Sequence, residues 1–300
     1  MNDNTSKSLG FNDILKEKLL EVLRYSLNFF DSYNLKCFGC GGTVLGAVRH
    51  KGFIPWDDDI DLYMPRADYD RLIGMTKELE KDGYSFVSIE TDSRYYLPFG
   101  KIIDMNTSVW EVKRFPFMLG VYIDIFPLDE FDPNITDING EFDSYKSLIS
   151  EYQYTIESID SRRVLSSLRM FDLKEAYKRT FYTFYNKKRS NLYHEILKKI
   201  DYYRKSKGSV CVSLPQWPGR YFESDWFKNS TQLPFEDVVI NVPGEFDKYL
   251  TLLYGDYMTP PPVEMRQATH GDVRYYINLK ERITIKEAKS RILKGESLVY

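Results

Sequence analysis

At 300 residues, with 43% hydrophobic and 28% charged side chains and a formal net charge of −3, the chain has the length and composition of a folded protein with a substantial core. That balance excludes a disordered or fibrous chain. No apolar stretch approaches the roughly 20 residues a bilayer span requires, and the N-terminus lacks the basic start, apolar run and cleavage site of a signal peptide.

The three cysteines are too few for a disulfide framework, and Cys37 and Cys40 form a CxxC with Cys211 far away. Zinc would need four well-placed ligands, and only three histidines are present. A cytoplasmic protein with buried free thiols is the expectation. The unusual feature of the composition is aromatic, 24 Tyr and 19 Phe, a level that suits amphipathic surfaces as well as cores.

In chain order, Phe11, Ile14, Leu15, Leu19, Val22, Leu23 and Phe29 recur at helical spacing and predict an amphipathic helix over 11–30. LKCFGCGG reads as a short strand entering a glycine turn, and TVLGAVRHKG as a short helix capped by Thr43 and closed by Gly52. DDIDLYM is a predicted strand. Pro65 opens the helix PRADYDRLIGMTKELEK at the first-turn position where proline is tolerated. YSFVSIE, LPFGKIID, TSVWEV and GVYIDIFPL are four more predicted strands.

From about 133 to 207 the pattern becomes helical and basic: between Arg162 and Lys207 there are fourteen Lys or Arg against four Asp or Glu. After Gly208 short strands and Pro-rich, aromatic loops return. The expected organisation is therefore a front part of mixed helices and strands over 1–132, a basic, Tyr-rich helical insertion over 133–207, and a C-terminal part over 208–300. An acidic catalytic part and a basic interaction part follow from this charge asymmetry.

The chemistry concentrates in WDDDID, where Asp57, Asp58, Asp59 and Asp61 crowd together among apolar residues. At a few Å each like-charged pair costs roughly 1 kcal/mol in water and about 4 in a partly buried site. Strand alternation puts Asp57, Asp59 and Asp61 on one face, about 7 Å apart, with Asp58, Ile60 and Leu62 on the other. Such carboxylates suit a hard divalent cation, Mg²⁺ or Mn²⁺ rather than zinc. Upstream, Gly41, Gly42 and Thr43 at a helix start form a phosphate cradle. Asp124, between Ile123 and Ile125, is the expected third carboxylate; Asp129, after Pro127, falls in an expected loop. An EF-hand calcium loop is the structural rival, but its mid-loop glycine and terminal Glu are missing. Asp58, pointing away, is expected to tolerate replacement best.

At these residues the sequence resembles the LicD family, phosphocholine transferases acting on bacterial surface glycans, with the fukutin-related proteins as more distant relatives. The blocks GGTVLGAVRHKGFIPWDDDIDLYMPRADYDRL, FGKIID, GVYIDIFPLD and LPFEDVVINVPGEFDKYLTLLYGDYMTPPP carry the resemblance. It implies an α+β, nucleotidyltransferase-like (DNA polymerase β-like) fold, a mixed sheet with flanking helices and a helical insertion. It also implies metal ligation by Asp59, Asp61 and Asp124; Asp57, which shares their face, or Asp124 is the expected acceptor of the hydroxyl proton.

The implied donor is a CDP-alcohol, commonly CDP-choline, and the implied acceptor a sugar hydroxyl on a teichoic acid, lipopolysaccharide or capsule precursor. Two rivals remain open: nucleotidyl transfer from an NTP, and an inactive glycan-binding scaffold.

Arg49 and Lys101 are candidate phosphate contacts, and Arg266 and His270 candidate site-lining residues, with His50 read as a loop residue. A quaternary ammonium would need an aromatic surface. Trp56 is the leading candidate, ahead of Tyr122, Trp217 and Trp226. The basic segment is either a solvated helical face or a platform for anionic lipid or polyanionic glycan at the inner face of the membrane. No nucleic-acid recognition motif accompanies its charge, so nucleic acid is not an expected partner.

Overall fold

The structure is a computed structural model that describes residues 11–157, 165, 168, 170, 173–181, 186–214, 220–266 and 274–299. Its centre is a mixed seven-stranded sheet flanked by helices, an α+β architecture. In chain order the first half contains α1 (Phe11–Ser32), β1 (Phe38–Gly39), α2 (Gly41–His50), β2 (Asp61–Pro65), α3 (Arg66–Gly74), α4 (Thr76–Lys81), β3 (Tyr84–Val87), β4 (Gly100–Asp104), β5 (Ser108–Trp110) and β6 (Tyr122–Phe131). The helix expected over 65–81 divides at Met75, and Pro65 ends β2 and caps α3.

The sheet runs β1-β2-β6-β4-β3. Only β2 and β6 are parallel in that run, with Asp61 beside Asp124; β4 lies antiparallel to β6, with Lys101 beside Asp124. Three polar residues thus form one row across three adjacent strands, and paired residues share a face of a sheet. On either side of the row, Leu62, Tyr63, Met64, Ile123, Ile125 and Ile102 are buried, which is why these strands read as nearly continuous apolar runs. Strand β6 continues through Asp129, which lies in the ladder opposite Val212 and not in a loop. Its buried carboxylate accepts two hydrogen bonds from Arg66, at 2.6 and 2.8 Å.

The segment after 133 forms the helices Ile138–Ile156, Leu173–Phe181 and Asn186–Lys205. The first and last pack on each other through Phe142, Tyr145, Ile149, Ile196, Ile200 and Tyr203. Their apolar cluster also takes in Ile89, Phe131 and Val212, so it joins the main sheet. Arg204 ties the last helix to Asp70 on α3 and to Glu90.

Further on, the hairpin Ser230–Phe235 with Val238–Pro243 and the helix Phe246–Tyr254 cover α2. The strand Tyr276–Asn278 pairs with β5. Among the described residues no helix is long and apolar enough to cross a membrane.

Candidate active site

Helix α2 carries the glycines, and its start is shaped by two of them. Gly41 has φ +50°, a left-handed conformation that favours glycine. A side chain on Gly42 would place Cβ 2.7 Å from Asp57 Oδ2, so glycine there lets the Asp57 carboxylate come down onto the helix start. The helix is capped by Cys40, without a side-chain cap bond, and not by Thr43. Thr43 acts elsewhere, because its hydroxyl oxygen accepts the Asp61 N–H at 2.8 Å and so locks the helix to the first residue of β2.

The Gly41 N–H donates to the Tyr249 hydroxyl at 2.8 Å, and the Thr43 N–H to the Cys40 carbonyl at 3.0 Å. Two of the amides in the expected phosphate cradle are therefore engaged within the protein.

The loop from α2 to β2 is held from outside. The Phe53 N–H donates to Glu236 Oε1 at 3.0 Å, the Glu236 N–H donates to the Lys51 carbonyl, and Lys16 Nζ reaches the Pro55 carbonyl at 3.1 Å. The strand proper begins only at Asp61, so strand alternation does not govern residues 57–59, and the expected parity fails there. Carboxylate oxygens of Asp57, Asp58 and Asp59 instead lie within 4.8 Å of one another.

Asp58 does not point away into a tolerant position. It is buried, and Arg274 grips it twice, Nη1 on Oδ2 at 2.6 Å and Nη2 on its carbonyl at 2.9 Å.

Asp57, Asp59, Asp61 and Asp124 share one electrostatic environment. Burial, followed by the charge of Asp59, pushes Asp57 up to about 8. Burial and the fields of Asp59, Asp124 and Asp57 hold Asp61 well above the ordinary carboxylate range. Burial raises Asp124 to about 6 even though Lys101 opposes the shift. Neighbouring carboxylates in a confined space resist ionising together, and a divalent cation is the natural counter-charge. The donors are all oxygen, which fits Mg²⁺ or Mn²⁺.

Lys101 lies inside this site rather than on its rim. It is 1% exposed, with Nζ donating to Asp124 Oδ1 at 2.5 Å, standing 3.8 Å from Glu111 Oε1 and 3.5 Å from the centre of the Tyr122 ring.

The guanidinium of Arg266 lies over the Trp56 ring, 5.2 Å from its centre, and His50 meets that ring edge-on at 6.3 Å. Arg49 donates to His50 Nε2 at 2.9 Å and to the Tyr257 carbonyl at 2.7 Å. Burial and then the nearby Arg266 charge lower the Arg49 pKa. Among the described residues neither arginine makes an ion pair with a carboxylate.

The Trp56 face expected to receive a quaternary ammonium thus already carries a cation. Tyr122 and Trp226 are buried, while Trp217 and His270 lie outside the described residues.

Several residues here had no role assigned from sequence. Tyr249 holds Gly41; Tyr254 lies near the carboxylates, and burial, then Cys40 and then the fields of Asp61, Asp57 and Asp59 raise its pKa. Both lie in the C-terminal block that carries the family resemblance, which was the one available signal. Glu111 and Arg274 had none.

An α+β domain with a carboxylate cluster beside a glycine-started helix defines the class. Residues 34–149 match the family described as LicD/FKTN/FKRP, nucleotidyltransferase domain. The chain is 27% identical over 270 residues to the lipopolysaccharide cholinephosphotransferase LicD of Haemophilus influenzae, covering 86% of this chain and 95% of that protein. An uncharacterised protein of Rickettsia prowazekii, RP689, is 34% identical over 67 residues, 22% of this chain and 25% of that protein. Residues 34–149 thus match a LicD-type domain, and most of the chain is similar to a LicD cholinephosphotransferase.

Proposed function

We propose that this chain transfers a phospho-alcohol, phosphocholine being favoured, from a CDP-linked donor to a sugar hydroxyl of a bacterial surface-glycan precursor such as a lipopolysaccharide, teichoic acid or capsule. The family and its lipopolysaccharide-modifying relative make the chain an enzyme transferring phospho-alcohol groups. The observation that carries the finer reading is the row Asp61–Asp124–Lys101 beside the Asp57–Asp59 loop at the start of α2. A nucleotidyltransferase-like (DNA polymerase β-like) sheet is the fold this arrangement suits.

In this reading Asp59, Asp61 and Asp124 hold Mg²⁺ or Mn²⁺. Asp58, although its oxygens join the close triplet, is committed to Arg274. A bound cation supplies charge neutralisation on the donor pyrophosphate and the departing CMP. Arg49 and Arg266 offer guanidiniums for the donor phosphates. Asp57 receives the proton of the attacking sugar hydroxyl. Lys101 holds one oxygen of Asp124 and does not itself reach a phosphate.

Incubation with CDP-choline, CDP-ethanolamine, CDP-ribitol and CDP-glycerol tests the proposal: metal-dependent CMP release is expected, fastest with CDP-choline. The description of the matched domain keeps a second reading in view, nucleotidyl transfer from an NTP. Release of pyrophosphate from an NTP, with no CMP from any CDP-alcohol, would establish that one instead.

The basic helical segment is proposed to rest on anionic lipid at the inner face of the membrane. Its supports are the exposed Leu173 and Tyr177 on a helix set among lysines and arginines. Vesicle flotation with no preference for anionic lipid would remove that part.

A further inference from the structure

Behind the carboxylates runs a line of buried polar side chains from four separate segments. At one end Arg274, its side chain 5% exposed, holds both the carboxylate and the backbone carbonyl of Asp58. The same guanidinium faces the Tyr122 hydroxyl. That hydroxyl donates to Glu111 Oε1 at 2.5 Å, while Tyr96 donates to Glu111 Oε2 at 2.8 Å. Lys101 Nζ stands beside Glu111 and donates to Asp124 at the far end. Burying such groups is costly unless each finds partners, and here the charges alternate along the line. Burial would raise the Glu111 pKa, but Lys101, Tyr122 and Tyr96 outweigh it and keep the carboxylate ionised.

The two ends of this line matter most. Asp58 sits between Asp57 and Asp59, so a two-point grip on its side chain and carbonyl fixes the peptide that carries them. Lys101 occupies Asp124 Oδ1, which leaves the other oxygen to face a cation. An aspartate restricted in this way serves as a one-oxygen ligand. That suits a small octahedral cation better than Ca²⁺, which takes more oxygens and often both from one carboxylate.

We propose that Arg274, Tyr122 and Glu111 are positioning residues: a buried polar tie that sets the Asp57–Asp59 loop against Asp124 and, through Lys101, restricts Asp124 to one ligand oxygen. This rests on the reading of the carboxylates as a cation site. The tie touches neither substrate nor cation. Partners of this kind around metal ligands change metal affinity or activity by about 10- to 100-fold when altered.

The test is calorimetric titration of Mn²⁺ and of Ca²⁺ into the purified full chain and into Tyr122→Phe and Arg274→Lys, with far-UV circular dichroism and urea melts alongside. Tyr122→Phe keeps the ring in place and removes only the central hydroxyl, so it remains readable if Arg274→Lys does not fold. The expected result is Mn²⁺ binding weakened about 10- to 100-fold, with Ca²⁺ less affected and the spectrum unchanged. The preference for Mn²⁺ over Ca²⁺ therefore falls, a shift that general loosening of the fold would not produce. Folded variants with wild-type affinities for both ions would overturn the tie while leaving the cation site standing. Failure of the wild-type chain to bind Mn²⁺ would overturn the cation reading, and the tie with it.

Discussion

Asp61 and Asp124 stand side by side on adjacent parallel strands, although they are far apart in the chain. The ladder does this through the backbone: the Asp124 N–H donates to the Ile60 carbonyl, and the Cys40 N–H to the Asp61 carbonyl. Two carboxylates held this way cannot move apart to relieve their repulsion.

Replacement of either residue by asparagine should therefore remove function rather than weaken it. Asp61→Asn and Asp124→Asn are expected to lower metal-dependent CMP release from CDP-choline by more than about 100-fold, beyond the range for residues that only support metal ligands. Folded protein by circular dichroism with near-normal turnover would rule both out as ligands.

Gly42→Ala separates stability from function. Alanine is the better helix residue by about 0.5–1 kcal/mol, and among the described residues the obstacle is the end of the Asp57 side chain, whose Oδ2 would lie 2.7 Å from the new Cβ. The urea midpoint should stay near the wild-type value. Turnover should drop by as much as about 100-fold, the penalty for a catalytic group displaced by about 1 Å.

Two buried aspartates outside the ligand set should behave differently from each other. Asp58→Ala leaves Arg274 buried without its carboxylate, and Asp129→Ala does the same to Arg66. Each should cost about 3 kcal/mol in a urea melt, the lower end of the range for removing one partner of a buried pair. Only Asp58→Ala should also lower turnover per folded molecule, because Asp57 and Asp59 flank it. Kinetics normalised to the folded fraction check the contrast.

The cysteines supply a prediction in pH. Burial pushes the Cys37 thiol up to about 12 and the Cys211 thiol up to about 11, and Cys40 is wholly buried. A raised thiol pKa means less reactive thiolate at any given pH. Labelling by a disulfide reagent should stay slow in the native protein from pH 7 to 9. All three thiols should react rapidly once denaturant returns them to the ordinary value of about 8.5. Fast native labelling at pH 8 would contradict the burial.

Much of the candidate site is legible in the sequence. Gly41, Gly42, Asp57, Asp59, Asp61 and Asp124 stood out because local rules mark them: glycines at a helix start, crowded carboxylates, and an aspartate isolated between isoleucines. The helices and strands of the front half follow from apolar periodicities, and the α+β class from the family resemblance. Where local rules stopped, the reading failed. Strand alternation over Asp57–Asp59 predicts that Asp58 points away and tolerates replacement best, but backbone pairing begins only at Asp61 and Asp58 is bound to Arg274. Pro127 predicts a loop at Asp129, yet β6 runs through the proline to Phe131.

The sequence by itself determined which residue types gather at the site, since those signals lie within a few positions of one another. Only the tertiary structure decided who partners whom. Lys101 was read as a phosphate contact and Trp56 as an open aromatic face, but their neighbours, Asp124 and Arg266, come from distant segments. Glu111 and Arg274 left no local trace at all. A buried charge is stabilised by whatever opposite charge the folded chain brings to it, and spacing along the sequence carries no record of that meeting.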